Sequence, residues 1–366
     1  MYIKEIEIEN YRNITHAKIT PAEGLNVFYG DNGQGKTNLP EGVSLFAFGR
    51  SFRGVKDSEL IRIGSGNGAG LKMTAEGTNG ARKLEIRYAA DGRRSCKKNG
   101  IGVRSLSEFV GNFRAVLFAT PQLGLVRDAP AVRRSFLDAA ISQLKPVYLA
   151  SLVRFRQLLM QRNRLLKQLH DEGGSDPSRS RASLYDTLDL WTLQLAAESA
   201  YISSVRYNYL KSLLPCAANV VREMSGGGET LGLSLPEPPD RDELMKRFRS
   251  LYPAEIARAA TLCGAHRDDL SVFLDGRDAK SYASQGQQRT IALALKLAEG
   301  QLCEDLTRDP PVYLLDDVLS ELDSGRRSYV LQRISGRQVL LTACEGSISG
   351  KVFHVRGGVI EERREE

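Results

Sequence analysis

The stretch Gly30-Asp-Asn-Gly-Gln-Gly-Lys-Thr37 decides the fold, because it fits the pattern G-x-x-x-x-G-K-S/T of a phosphate-binding loop. The apolar run Leu25-Asn-Val-Phe-Tyr29 comes directly before it and predicts the strand from which such a loop emerges. Glycines allow backbone N–H groups to curl around a phosphate, and the N-terminus of the following helix adds partial positive charge. We therefore predict that Lys36 neutralises β- and γ-phosphate oxygens and that the Thr37 hydroxyl holds Mg²⁺.

A second candidate segment lies near the other end of the chain. Val312-Tyr-Leu-Leu-Asp-Asp317 places four apolar residues before two acids, which predicts a buried strand that delivers two carboxylates to the phosphate site. In this interpretation Asp316 binds Mg²⁺ through water, and Asp317 orients or deprotonates the attacking water. Apolar strands that end in acids are common, so this segment carries weight because a phosphate loop precedes it.

Ser284-Gln-Gly-Gln-Gln-Arg289 opens an amphipathic helix and allows two interpretations. In the structural one, Ser284 is an ordinary N-cap residue. In the functional one, the exposed N–H groups form a second anion site, which closes on the γ-phosphate bound to another subunit. A further segment, Ser320-Glu-Leu-Asp323, follows the acid pair.

Composition narrows the function classes. The chain has 366 residues, which suggests about two domains, and its 42% apolar residues exclude a wholly disordered protein. Lys and Arg (51) exceed Asp and Glu (44) by seven, which favours a polyanionic partner such as nucleic acid, although a merely soluble basic protein remains the alternative. No stretch approaches the roughly 18 unbroken apolar residues of a membrane span. The N-terminus is not a signal peptide, and the five scattered cysteines predict reduced thiols, so we expect a cytoplasmic protein.

The chain divides into three parts by pattern. The first third predicts strands and hairpins, and the middle third, which opens at Pro130, predicts two apolar-striped helices joined by a polar loop at 171–178. The last third returns to an α/β pattern. We therefore predict an α/β ATPase head formed by residues 1–125 and 255–366, with a helical lobe inserted at 126–254 and no long coiled coil.

Along the chain the four motifs follow in the order phosphate loop, Ser284 segment, acid pair and Ser320 segment. In that order they resemble the ABC-type P-loop ATPase heads of the SMC and Rad50 class, and more narrowly the RecF family. The resemblance covers essentially the whole chain. The segments that carry it are residues 10–13, 30–39, 49–53, 133–138, 161–163, 266–270, 284–299 and 315–323.

The resemblance implies a function. RecF-like proteins bind ATP, dimerise head to tail around two nucleotides and bind DNA, whether single-stranded, double-stranded or at gap junctions. They act with RecR and RecO to bring RecA onto single-stranded DNA, in gap repair, recombination, replication and the SOS response. The alternative is the ATPase subunit of a transporter, against which stand the large helical insertion and the absence of a switch histidine.

The motifs and the resemblance together imply roles for individual residues. Lys36, Ser284 and Asp317 are the expected catalytic residues, and hydrolysis should be slow because Asp is shorter than the Glu of fast heads. Thr342 is our candidate γ-phosphate sensor. The expected nucleotide contacts are Gly30, Asp31, Asn32, Gly33, Gln34, Gly35, Lys36, Thr37, Arg12, Asn13, Gln122 and Gln287, and the expected Mg²⁺ ligands are Thr37 and Asp316. For Arg12 and Asn13, a polar strand end is the alternative.

Two residues of the helix after the phosphate loop depart from the pattern that the resemblance leads us to expect. Pro40 stands where the helix after the phosphate loop usually carries an apolar residue, and a proline inside a helix costs about 3 kcal/mol unless the helix bends. Gly42 weakens the same helix further.

Two clusters of basic side chains are expected to contact DNA phosphates. They are Arg50, Arg53 and Lys56 in one cluster, and Arg93, Arg94, Lys97 and Lys98 in the other. A solvated charged face is the alternative for both.

Overall fold

The structure is a computed structural model that describes residues 1–171, 180–344 and 350–363. Its strands are β1 (Tyr2–Tyr11), β2 (Ile14–Ile19), β3 (Leu25–Tyr29), β4 (Ala69–Gly77), β5 (Gly80–Tyr88), β6 (Arg94–Lys98), β7 (Ile101–Gly102), β8 (Ala115–Ala119), β9 (Leu231–Ser234), β10 (Ser271–Leu274), β11 (Arg277–Asp278), β12 (Val312–Asp316), β13 (Val339–Ala343), β14 (Lys351–Arg356) and β15 (Val359–Glu362). Its helices are α1 (Asn38–Phe48), α2 (Leu106–Phe109), α3 (Pro130–Leu144), α4 (Pro146–Asp171), α5 (Ser180–Met224), α6 (Arg241–Ala257), α7 (Ala279–Tyr282), α8 (Gln285–Thr307) and α9 (Ser324–Arg333). In the described part of the chain, no helix is apolar over enough of its length to cross a bilayer. All five cysteines are free, as their spacing predicts.

A six-stranded sheet in the order β15-β14-β3-β13-β12-β8 forms the centre of the fold. The five strands from β14 to β8 run parallel, and β15 pairs antiparallel with β14. Both faces are covered, so alternate residues of one strand enter different cores: Leu314 of β12 lies in one and Leu315 in the other. This arrangement confirms the predicted α/β class, and β3 and β12 lie where the sequence predicts them.

An antiparallel sheet in the order β2-β1-β4-β5-β6-β7 covers one face of the central sheet together with α1. The packing around Gly42 of α1 is close. A Cβ atom on Gly42 would lie 2.9 Å from Leu71 Cδ2 and 3.5 Å from Tyr11 Cε1. The glycine that weakens α1 by propensity is therefore the point where α1 approaches β1 and β4.

Pro40 does not interrupt the interior of α1. The helix begins at Asn38 with Thr37 as its N-cap residue, so Pro40 lies in the first turn. The first intrahelical hydrogen bond runs from Glu41 N to Thr37 O at 3.0 Å, and the N–H groups before it have no acceptor within a helix. The expected bend and penalty are therefore wrong, because a first-turn proline gives up no helical hydrogen bond.

Helices α3 to α6 follow β8 and pack, with α8, on the other face of the central sheet. Helices α4 and α5 form the predicted pair, but α5 extends over 45 residues. The polar loop predicted between them lies, after Asp171, outside the described residues. Helix α6 runs across the boundary predicted between residues 254 and 255. The division of the chain into a head and a helical lobe at residues 126–254 remains a prediction. A small sheet, β11-β10-β9, lies beside these helices.

Candidate nucleotide-binding site

The carboxyl ends of the parallel strands bring the predicted site residues to one edge of the central sheet. The phosphate loop, residues 30–37, follows β3, which neighbours β13. Asp316 at the end of β12 is paired in register with Thr342 of β13 on one side and with Ala119 of β8 on the other. Gln122 follows Ala119 in a short 3₁₀ turn. Residues from four distant parts of the sequence therefore converge at this edge.

Lys36 lies folded over the phosphate loop. It is only 7% exposed, and its Nζ donates to Gly30 O at 2.5 Å. The Nζ atom also lies 3.4 Å from Cys344 Sγ, at the end of β13. The ammonium group is thus held within the loop, where its positive charge would stabilise a bound phosphate.

Asn13 supports the loop from the end of β1. Its Nδ2 donates to Gln34 O at 2.9 Å, and its Oδ1 accepts from Asn38 Nδ2 at 2.7 Å. Gly35 has a φ of +102°, and a Cβ atom there would lie 2.5 Å from Asn13 Nδ2, so this position needs glycine. In the described structure Asn13 therefore binds the backbone and first helical residue of the loop; its contact with a nucleotide remains a prediction.

Thr342 links the two acids. Its Oγ1 donates to Asp316 Oδ1 at 2.9 Å and accepts from Asp317 N at 2.9 Å. Burial raises the pKa of Asp316, while hydrogen bonds from Thr342 and Thr37 lower it. Asp317 has a left-handed φ of +52°, and its carbonyl accepts from Ser320 Oγ at 2.7 Å. The backbone on both sides of the Asp317 side chain is therefore fixed.

The oxygen atoms at this edge fit a hard cation such as Mg²⁺, which prefers carboxylate, hydroxyl and carbonyl oxygens. Thr37 and Asp316 provide a hydroxyl and a carboxylate at this edge, and the Thr37 hydroxyl opposes the effect of burial on the pKa of Asp316. Gln122 Oε1 is buried and accepts no hydrogen bond from any described residue. A buried carbonyl oxygen without a donor is consistent with a ligand that supplies positive charge. These three residues are the ones that would hold the ion.

Arg12 is bound by an acid that sequence reasoning misses. Its Nε and Nη2 donate to the two carboxylate oxygens of Glu41, at 2.9 and 2.7 Å, and its Nη1 donates to Glu59 O at 3.1 Å. Glu41 is fully buried in the first turn of α1. The structure therefore uses the Arg12 side chain to tie the end of β1 to α1, and a nucleotide contact by Arg12 remains a prediction.

Arg53 lies beside the same carboxylate, although its position in the sequence predicts a DNA-binding cluster. Its Nη1 is 3.7 Å from Glu41 Oε2 and donates to Asn38 Oδ1 at 3.3 Å. Against the rise caused by burial, the charge of Arg53 also lowers the pKa of Asp316. The side chain of Arg53 therefore faces the beginning of α1 and the acid pair. Only the fold reveals this, because Arg53 follows α1 in an irregular segment.

Ser284 caps α8 and is exposed to solvent. Its Oγ accepts from Gln287 N at 3.2 Å, and Gln287 Oε1 accepts from Ser284 N at 2.8 Å, which completes a reciprocal capping box. The other end of the Gln287 amide donates to Glu229 Oε1 at 2.8 Å. Among the described residues, no hydrogen bond connects Ser284 to the phosphate loop of its own chain.

The turn after the acid pair binds the beginning of α8. Arg289 Nη2 lies 3.1 Å from Glu321 Oε2, and Arg326 Nη2 donates to Gly286 O at 3.2 Å. Arg326 is also paired with Asp323. The segments 284–289 and 320–323, which are separate motifs in the sequence, therefore form one surface.

The basic residues predicted to contact DNA lie in two adjoining segments. Arg94 Nη1 donates to Gly49 O at 2.5 Å, next to Arg50, so the β6 strand contacts the segment after α1. Arg50 Nη2 donates to Ser135 Oγ at 2.8 Å. Arg93 is 86% exposed and paired with Asp91. Of the remaining basic residues, Lys56 and Lys97 are exposed and Lys98 is half-buried.

Fold and site together define the class: a P-loop ATPase head of the SMC type. The family model described as the RecF/RecN/SMC N terminal domain matches residues 2–348. The Smc head domain of Pyrococcus furiosus, solved with the C-terminal domain of ScpA, superimposes with a TM-score of 0.56 at 17% identity, covering 99% of this chain and 96% of that one. At that identity the likeness shows the fold alone.

More similar proteins narrow the class. The DNA replication and repair protein RecF of Synechococcus sp. is 38% identical over 98% of this chain and 97% of its own length, and that of Bacillus mycoides is 37% identical over 99% and 98%. A solved structure of the recombination mediator protein RecF with ATPγS, in the RecFOR pathway, has a TM-score of 0.91 at 33% identity, covering 99% of this chain and 98% of that one. Its counterpart with ATP has a TM-score of 0.89. The chain belongs to the RecF family, as its motifs predict.

Proposed function

We propose that this chain is an ATP-dependent switch on DNA, which binds Mg²⁺-ATP, closes as a dimer and hydrolyses ATP slowly. The observation that carries the proposal is the meeting of the phosphate loop with the acid pair at one sheet edge. Related RecF structures were solved with ATP and with ATPγS, which supports the same ligand here.

Within one subunit, each residue of the edge has a defined task. Lys36 places its ammonium against the β- and γ-phosphate oxygens and stabilises the charge that develops there. Thr37, Asp316 and Gln122 hold Mg²⁺, which neutralises phosphate charge when bound. Asp317 orients the attacking water and accepts its proton as the bond to the leaving ADP breaks. A short carboxylate in this role is consistent with slow turnover.

The site becomes complete only in a dimer. Ser284 and the N–H groups after it lie exposed at the beginning of α8, where they can meet the γ-phosphate held by a second copy. Since ADP lacks that phosphate, only ATP holds the two chains together.

The closed dimer binds DNA and acts with RecR and RecO to bring RecA onto single-stranded DNA, in gap repair, recombination and the SOS response. The net positive charge of the chain supports a nucleic-acid partner. The related RecF structures are described as those of a recombination mediator in the RecFOR pathway. That description supports an action together with RecR and RecO. The protein acts in the cytoplasm, where the DNA lies.

The proposal is tested by separating the two halves of the composite site. Lys36→Ala should lose ATP binding in calorimetry, because the loop then lacks its cation. Ser284→Arg should bind ATP almost normally but stay monomeric in sedimentation and lose hydrolysis. A mixture of the two variants should recover activity, since one chain supplies the loop and the other the serine. Leu306→Arg, which adds the same charge at the exposed far end of α8, is the matched control.

Two results would contradict the proposal. Wild-type ATP affinity in Lys36→Ala would remove the phosphate-loop assignment. Wild-type dimerisation and hydrolysis in Ser284→Arg would show that Ser284 is only a helix cap.

A further inference from the structure

Two segments that the sequence marks only by their resemblance to the family, residues 133–138 and 266–270, contact each other in the fold. The first lies in α3 and the second directly precedes β10. Arg133 Nε and Nη2 donate to the two carboxylate oxygens of Asp269, at 2.8 and 3.0 Å. The neighbouring Arg134 donates to Asp268 O at 2.8 Å. Each of these bonds joins residues more than 130 positions apart in the sequence.

Arg133 also binds the segment that directly follows the turn of Gln122. Its Nη1 donates to Asp128 O at 2.8 Å and lies within 3.5 Å of the carbonyl oxygens of Leu125 and Val126. The Arg133 side chain is 6% exposed, so little water competes for these bonds. One guanidinium therefore joins the backbone just after Gln122 to the carboxylate of Asp269.

A second arginine makes the Asp269 segment rigid. Arg206 of α5 binds Asp138 Oδ1 at 2.8 Å, Asp268 Oδ2 at 3.0 Å and Ala265 O at 2.6 Å. Tyr148 donates to the same Asp138 oxygen at 2.5 Å. The segment that leads into β10 is thus held on α3 and α5 by charged hydrogen bonds, which are stronger than neutral ones.

The Asp269 segment leads to Ser284. Strand β10 begins at Ser271 and pairs with β9 and β11, and α7 follows β11 directly before Ser284. On the other side of the same small sheet, Glu229 just before β9 accepts from Gln287 Nε2. The small sheet β11-β10-β9 therefore carries the Ser284 turn, and Asp269 lies at its base.

We propose that Arg133 is a positioning residue, which fixes the small sheet, and with it Ser284, relative to the turn of Gln122. It touches no nucleotide itself. The inference rests on the proposed function, because it assigns Arg133 the task of presenting Ser284 correctly to a second copy. The geometry is specific to arginine, since a lysine ammonium is a single point charge and cannot bind a carboxylate and a backbone turn in the same plane.

The test uses the full chain and the variants Arg133→Lys and Asp269→Asn. Both should bind ATP within about twofold of wild type, because the phosphate loop is intact. Both should weaken ATP-dependent dimerisation and lower kcat at least about fivefold, with KM nearly unchanged. Combining the two changes should cost no more than either alone, because they break one interaction.

Controls separate positioning from loss of stability. Arg249→Lys and Asp189→Asn break an exposed ion pair between α6 and α5, 3.1 Å apart, and should leave kcat unchanged. Thermal unfolding of every variant measures stability. If Arg133→Lys does not fold, Asp269→Asn carries the test, because the Asp269 side chain is 41% exposed.

The outcomes distinguish the two proposals. Wild-type kcat and dimerisation in both Arg133→Lys and Asp269→Asn, while Ser284→Arg loses them, would overturn the positioning role alone. If Ser284→Arg also behaves as wild type, the composite site itself is wrong.

Discussion

At the scale of single residues, the hydroxyl group of Thr342 connects the two acids of the pair. It donates to the buried carboxylate of Asp316 and accepts the N–H of Asp317. A hydrogen bond to the ionised form of an acid favours that form, so Thr342 opposes the effect of burial on the pKa of Asp316. In the structure Thr342 thus favours the ionised form of Asp316; its role as a γ-phosphate sensor remains a prediction.

We therefore predict that Thr342→Val moves the pH dependence of Mg²⁺-ATP binding. Loss of the hydroxyl raises the pKa of Asp316 further above its ordinary value. Protons compete with Mg²⁺ for the carboxylate. Acidification should therefore weaken Mg²⁺-ATP binding by the variant at a higher pH than it does for the wild type. Titration of Mg²⁺-ATP affinity between about pH 8 and pH 5 measures the shift. Thr307→Val, at the far end of α8, is the control, and an unchanged midpoint in Thr342→Val would contradict the role.

The two acids should respond differently to removal of their charge. Asp316→Asn should weaken Mg²⁺-ATP binding, because it removes the carboxylate that we expect to hold the ion together with Thr37. Asp317→Asn should keep ATP bound and stop its hydrolysis, so that the dimer accumulates in the presence of ATP. Calorimetry with Mg²⁺-ATP, together with phosphate release, separates the two effects. Normal hydrolysis by both variants would make the pair structural.

Sequence reasoning reaches the residues whose partners are set by local pattern. Lys36 and Asp316 belong to short motifs that imply a strand and a loop around them. Glu41 does not, because its main partner Arg12 is 29 residues away and the pairing exists only after α1 has packed on β1. The one available signal is an acid in the first turn of a helix, which by itself indicates only a favourable interaction with the helix dipole.

At the scale of elements, α8 shows what close packing requires. The sequence predicts an amphipathic helix that opens at the Ser284 segment, and the structure gives this helix the range Gln285–Thr307 with the expected Ser284 cap. In its second half, Gly300 faces Tyr313 of β12. A Cβ atom on Gly300 would lie 2.1 Å from Tyr313 Oη, so the helix lies directly on the strand at this point.

We predict that Gly300→Ala destabilises the protein although alanine is the better helix former. The gain in propensity is about 1 kcal/mol. The clash with the buried Tyr313 hydroxyl costs about 1–3 kcal/mol or more, as overpacking of a core does. Denaturant unfolding measures the net change. Tyr313→Phe added to Gly300→Ala removes the nearest atom and should restore part of the stability; a more stable Gly300→Ala would contradict the close approach.

The sequence best predicts those elements whose ends are marked by glycine, proline or charged residues. Strand β3 is bounded by glycines on both sides, and β12 by a proline and two acids, so the pattern locates both. Pro40 misleads because its effect depends on where α1 begins, and helix starts are uncertain by one or two residues. The length of α5 escapes prediction because Pro215 lies inside it without ending it.

At the scale of the whole molecule, the exposed basic residues are the ones to test for DNA. Arg93→Ala with Lys97→Ala should weaken binding to all DNA sequences alike and flatten its salt dependence by about one unit of slope for each phosphate that is no longer bound. Arg241→Ala is the matched control, because Arg241 is likewise exposed and paired with a nearby acid, Asp242. An unchanged slope would move the DNA surface towards Arg50 and Lys56.

The sequence predicts the α/β fold class, but it does not predict the order of strands in the central sheet. Parallel strands need distant partners, and nothing in the local pattern of β3 states which strands will flank it. Its neighbours are β13 and β14, both more than 300 residues later. The local pattern shows only the apolar runs and the glycine loop, and the pairing follows from their packing.

That pairing has a consequence for how the protein is made. When β3 leaves the ribosome, both of its edges are open, and they stay open until nearly all of the chain has been translated. An unpaired apolar strand invites association with other nascent chains. A message cut short before β13, which begins at Val339, would yield a polypeptide with a complete phosphate loop on an unsupported strand. The open edges of β3 therefore make the incomplete chain prone to association until β13 and β14 are present.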